Sequence, residues 1–90
     1  MSKTEKAQKP VKPVRFNNFE AFKKASPPKV YTPLVQPRGY RVELVDWGNS
    51  INVSISKYVP NKGIRGVTIR GDVAEEVLEF ALNLLRKALE

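Results

Sequence analysis

The chain has no cysteine and no histidine. The first absence removes disulfides and thiolate metal sites, and the second removes imidazole ligands, Ser-His triads and imidazole general bases. Methionine and tryptophan occur once each. No apolar run approaches the roughly 18 residues that span a bilayer. The opening MSKTEKAQKP has no apolar stretch of the kind a secretory signal needs, so a cytoplasmic protein, on the nucleoid or the ribosome, is expected. No internal repeat is visible at any period.

Two further absences are local. Glycine is missing from residues 1–38, and residues 39–90 have no surplus of either charge. Residues 1–38 hold nine Lys and Arg against two acids, a net +7, with six of the seven prolines. Residues 39–90 hold seven against seven, with all five glycines. A basic, proline-rich arm therefore precedes a neutral domain of about fifty residues, a size at which oligomerisation is a common source of stability. A cationic arm attracts polyanions, because each neutralised phosphate releases a condensed counterion. The alternative is a basic tail that serves solubility alone.

Within the arm, residues 1–14 space their lysines too evenly among polar residues and prolines to form a core. Residues 15–25 (RFNNFEAFKKA) differ, with Phe16, Phe19 and Phe22 every three residues. Asn17 or Asn18 suits the N-cap of a short helix there, and Lys23 and Lys24 suit its last turn. The three Phe either dock a partner or cover an exposed patch of the domain. Ser26-Pro27-Pro28 stops the helix. Residues 29–37 are expected to be extended or an edge strand, since Pro33 forbids a central strand there and permits an edge one.

Tyr40–Trp47 reads as a strand, with Tyr40, Val42 and Leu44 on one face and Arg41 and Glu43 on the other. Gly48-Asn49 suits a hairpin turn. In Ser50–Val59, Ile51, Val53 and Ile55 alternate with Asn52, Ser54, Ser56 and Tyr58. Residues 60–63 form a second turn. Ile64–Arg70 makes a third strand, with Val67 and Ile69 inward and a bulge expected at Gly66. A helix follows from Asp72, whose spacing to Glu75 fits a capping box. Its apolar residues, among them Val73, Val77, Phe80, Leu84, Leu85 and Ala88, fill an arc of about 200°, twice the stripe that one packing partner requires. The second partner is either the same helix of another copy or the Phe-rich arm of the same chain.

The fold class expected is α+β: a small curved antiparallel sheet of three to four strands, one long C-terminal amphipathic helix, and a basic extended arm. No catalytic site is expected. Glu75, Glu76 and Glu79 lie on the helix's solvent face, and Lys62-Gly63-Ile64-Arg65-Gly66 has neither the Walker spacing nor its hydroxyl. A single-strand surface is easier to assemble, since bases stack on rings while Lys and Arg follow phosphates. Its candidate residues are Arg41, Trp47, Lys57, Tyr58, Lys62, Arg65 and Arg70 in the domain, with Lys9, Lys12, Arg15, Lys23 and Lys24 in the arm. Trp47 also suits a place in the core. The long helix exposes an acidic face, which argues against insertion in a major groove.

Three stretches carry a family resemblance. Ile51-Asn-Val-Ser-Ile-Ser-Lys-Tyr58, then Lys62-Gly63-Ile64 with Val67-Thr68-Ile69, then the helix Val73–Leu89 together resemble the positive cofactor four family of transcriptional coactivators. The likeness covers about residues 40–89. It implies a curved antiparallel sheet, a dimer made through the helices, and single-stranded DNA across the sheets, with Lys57, Tyr58, Lys62 and Arg65 in contact. The chain departs from that pattern in a shorter loop between Tyr58 and Lys62, in Val59 where the family has an aromatic, and in the inserted Arg65-Gly66. Small single-stranded-DNA-binding proteins of thermophilic archaea are a second, vaguer likeness.

The expectation is a non-enzymatic protein that binds nucleic acid, single-stranded DNA first, with little sequence specificity, as a homodimer and without cofactor or metal. A small RNA-binding or ribosome-associated structural protein is the first alternative. A protein-interaction module docking through the Phe-rich arm is the second.

Overall fold

The computed structural model describes residues 12–90. Lys9 lies outside that range. The elements are β1 (Val14–Phe16), α1 (Phe19–Lys24), β2 (Lys29–Tyr31), β3 (Arg41–Asp46), β4 (Ile51–Val59), β5 (Gly63–Arg70) and α2 (Gly71–Leu89). The strands form one sheet in the order β1-β2-β3-β4-β5. The fold is α+β, an open sheet followed by a C-terminal helix.

The sheet is larger than the sequence reading and is mixed. β1 pairs parallel to β2, and the other three pairings are antiparallel. Parallel neighbours need a crossover of about a dozen residues, and residues 17–28, with α1 in their middle, supply it. Residues 29–37 are therefore not an edge strand. Only Lys29–Tyr31 pair, and they lie inside the sheet between β1 and β3. Pro33 follows the paired segment and so removes no ladder bond. Residues 14–31 belong to the same sheet as residues 41–70, so no boundary at 38 divides arm from domain among the described residues.

Local chemistry accounts for α1. The Asn18 side chain accepts a hydrogen bond from the Ala21 N–H at 3.1 Å, and Lys23 and Lys24 occupy the last turn. The Lys29 ammonium donates to the carbonyls of Phe22 at 2.5 Å and Ala25 at 2.6 Å, at the end of α1 where acceptors are left over. Lys29 is buried, with Asp46 3.9 Å away and the Phe22 ring beneath it at 4.7 Å. Phe22 (4% exposed) and Val30 (5%) are the most enclosed large side chains. Burial of each contributes about 1.5–3 kcal/mol relative to exposure. Phe19, Phe22 and Tyr31 form one aromatic cluster with ring centroids 5.1–6.0 Å apart.

Register fixes the two faces. β3, β4 and β5 place Val42, Leu44, Val53, Ile55, Val67 and Ile69 on one face, as their alternation requires. α1 and the first turn of α2 pack on this inner face. The β4–β5 ladder runs one to one through Ser56↔Gly66, so the expected bulge is absent. Glycine is needed there for proximity instead: a Cβ would lie 2.5 Å from the Ile55 carbonyl oxygen and 2.7 Å from the Ser56 Cβ. α2 begins directly after β5, one residue before the expected start, and Arg70 is its N-cap, without a side-chain cap. The Asp72 capping box does not form, because Asp72 lies inside the first turn instead of at the N-cap, and its carboxylate accepts from Arg70 Nη2 at 2.8 Å.

Candidate nucleic-acid interface

The outer face is polar. β3 contributes Arg41, Glu43 and Val45; β4 contributes Asn52, Ser54, Ser56 and Tyr58; β5 contributes Thr68 and Arg70; and β1 adds Arg15 in line with Val30. Most of these groups are small or cationic, so the floor admits an extended ligand and no acidic ridge crosses it.

Two clefts open along this face. The larger, about 740 Å³, is lined by Arg15, Asn17, Thr32, Leu34, Arg41 and Glu43, among others. The smaller, about 350 Å³, is lined by Tyr40, Arg41, Ser56, Lys57, Tyr58 and Ile64 with Gln36 and Gly39. Arg41 and Gln36 line both clefts, which therefore lie side by side as one track along the face. Gln36 makes the wall between them. Its Oε1 accepts from the Val42 N–H at 2.8 Å, and its Nε2 donates to the carbonyls of Val42 at 3.1 Å and Pro33 at 2.7 Å. These bonds pin the 33–40 loop against the start of β3.

Charge along the track is arranged, not merely present. At one end Arg15 Nη1 donates to Glu43 Oε2 at 2.5 Å, and the Thr32 hydroxyl donates to the same oxygen at 2.8 Å. The Glu43 side chain is 9% exposed and Arg15 is largely solvated. A carboxylate this enclosed requires such donors, while the exposed half of the pair adds little stability of its own. In the middle, Arg41 is exposed and has no ion-pair partner among the described residues. At the other end, Tyr58 is 68% exposed and the Lys57 ammonium lies 5.3 Å from the Tyr40 ring centroid, a cation–π distance.

Not all the sequence candidates meet here. Arg41, Tyr58 and Arg15 lie on the outer face and line the track, while Lys57, of the opposite parity, borders the smaller cleft beside Tyr40. Lys62 is exposed in the β4–β5 turn, where Asn61 and Gly63 take positive φ. Arg65 pairs in register with Lys57 and lies on the opposite parity from Tyr58, so it faces the inner side. Arg70 shares the outer face but sits four residues along β4 from Ser56, engaged with Asp72. Trp47 is half exposed in the β3–β4 hairpin, where its N–H donates to the Ser50 carbonyl; it is not a core residue. Lys12 is exposed outside any element, and Lys23 and Lys24 ride on α1, with Lys23 5.5 Å from the Phe19 ring centroid. Tyr40, Thr32, Asn17 and Glu43 line the track without having been candidates. Glu43 shares the parity of Arg41, a signal that could have added it to the candidates.

The helix candidates behave as one set. Val73, Val77, Phe80, Leu84, Leu85 and Ala88 are all exposed, Phe80 at 66%, and Ala74 is the buried residue of α2. α2 touches β4 and β5, and α1 lies against β1 and β2, so the described part of the arm does not cover the helix. No helix among the described residues is long and apolar enough to cross a membrane. No family model, curated protein or solved structure matches the chain.

Proposed function

We propose that this chain is a non-enzymatic nucleic-acid-binding protein that takes single strands across the outer face of its sheet. The observation that carries the reading is the pair of adjacent clefts that share Arg41, which has no ion-pair partner among the described residues, one lined by Arg15 and the other by exposed Tyr58 and Tyr40. Cations spaced between rings suit a sugar-phosphate backbone with unstacked bases. A duplex presents no free base faces to Tyr58, so single strands bind better. The arm, net +7 over residues 1–38, adds affinity without sequence preference. Cytoplasmic action on the nucleoid, in transcription or replication, fits this reading. It stands on the track alone, since no matching family supports the positive cofactor four resemblance.

The same proposal makes the protein a homodimer through α2. Its apolar arc is open along the helix. Its acids, Asp72, Glu75, Glu76 and Glu79, lie in the first half, and Arg86 and Lys87 in the last turns. Two copies packed antiparallel bring the acidic half of each against the basic end of the other. Fluorescence anisotropy of single-stranded DNA, double-stranded DNA and single-stranded RNA across a salt series tests the binding. The expected result is tighter binding of single strands, weakening steeply with salt. Equal binding of all three would contradict a site on the sheet.

A further inference from the structure

The larger cleft holds a group that a purely electrostatic strand-binding surface has no use for. Glu43 is 8% exposed, at the floor of a cationic track, where a carboxylate repels phosphate. Both described donors to it, Arg15 and Thr32, reach the same oxygen, Oε2. Oε1 accepts from no described residue. Glu43 lines the cleft, and Oε1 is the carboxylate oxygen left to take a donor there. Arg15 and Thr32 hold it in place. Arg41, two residues before Glu43 on the same face of β3, lines the cleft as a donor, and so does Leu34, 77% exposed, as an apolar surface.

We infer that this cleft is a nucleobase subsite selective for guanine within the bound single strand. A carboxylate oxygen with two vacant lone pairs accepts two donors. Guanine is the base that presents two side by side, the ring N1–H and the exocyclic N2 amino group. Its O6, next to N1, is an acceptor suited to the Arg41 guanidinium. Adenine and cytosine place a ring acceptor beside their amino group, which Glu43 repels. Thymine and uracil flank one N–H with two carbonyls, which it also repels. Backbone phosphates then follow the exposed faces of Arg15 and Arg41 while one base turns inward. Binding elsewhere on the track stays indifferent to sequence, so the subsite sets where a strand is positioned more than whether it binds. The inference rests on the single-strand proposal above.

The test uses the full chain and three labelled thymine-rich ten-nucleotide DNA strands that carry guanine, hypoxanthine or thymine at one central position. Anisotropy should show the guanine strand bound about fivefold or more tighter than the all-thymine strand, the range of one good paired contact. Hypoxanthine lacks only the N2 amino group and should lose most of that preference. Glu43→Gln should bring the three strands to one affinity. Equal affinity of the wild-type protein for all three strands overturns the guanine subsite and leaves the single-strand proposal intact. Failure of every strand to bind overturns both. The wild-type comparison decides the matter whatever Glu43→Gln does to folding.

Discussion

Lys29 and Arg41 are both cationic, yet one builds the fold and the other serves its surface. Lys29 is enclosed, donates to two carbonyls at the end of α1 and lies near Asp46. Removing it takes a charged donor from both carbonyls, of which Phe22's keeps the Ala25 N–H, and leaves the largely enclosed Asp46 without its nearest cation. Lys29→Ala should cost about 2–4 kcal/mol in denaturant unfolding, whereas Lys24→Ala, on an exposed position of the same helix, should stay within about 0.5 kcal/mol. Arg41 and Tyr58 make the opposite prediction. Tyr58→Ala should weaken single-strand binding by about 1–3 kcal/mol, the contribution of one stacked base, and leave the melting temperature unchanged. The sequence separates such residues only in part. Alternation put Arg41 and Tyr58 outside, but nothing in one dimension distinguishes Lys29 from its neighbours, because its partners are backbone carbonyls four and seven residues away.

At the scale of elements, the join between β5 and α2 depends on glycine. A Cβ at Gly71 would lie 2.0 Å from the Ile51 carbonyl oxygen. Helix propensity favours alanine over glycine by about 1 kcal/mol, so the two effects oppose each other. Gly71→Ala should lower stability by about 1–3 kcal/mol, the cost of forcing atoms into a packed site; a raised melting temperature would show that the helix start is free to move. The β3-β4-β5 meander was legible because period-two alternation, turn glycines and Asn61 all agree there. β1 and β2 were not, because three-residue strands leave no period to read and their pairing depends on a helical crossover. The polar cleft was half legible: parity placed Arg41, Glu43 and Tyr58 together, but the Gln36-pinned loop that divides and walls the track is a tertiary feature.

For the whole molecule, the exposure of α2 is the dominant fact. A helix of 19 residues with Ala74 as its buried residue leaves a long apolar surface open in a single chain. Phe80→Glu with Leu84→Glu places like charges on the proposed contact, and sedimentation equilibrium should report dimers for the unmodified chain and monomers for this variant. Circular dichroism should show the sheet retained, because those positions do not pack on it. The charge distribution also belongs to this scale: in the proposed function the arm sets salt dependence and the track sets preference for single strands. The division is tested most directly by replacing both Arg41 and Tyr58 with alanine in the full chain and measuring anisotropy of single- and double-stranded DNA at one fixed salt concentration. The account predicts that single-strand binding weakens at least tenfold and the preference over duplex disappears, while arm-driven binding to both persists. Unchanged affinity and preference would place recognition away from the sheet and contradict it.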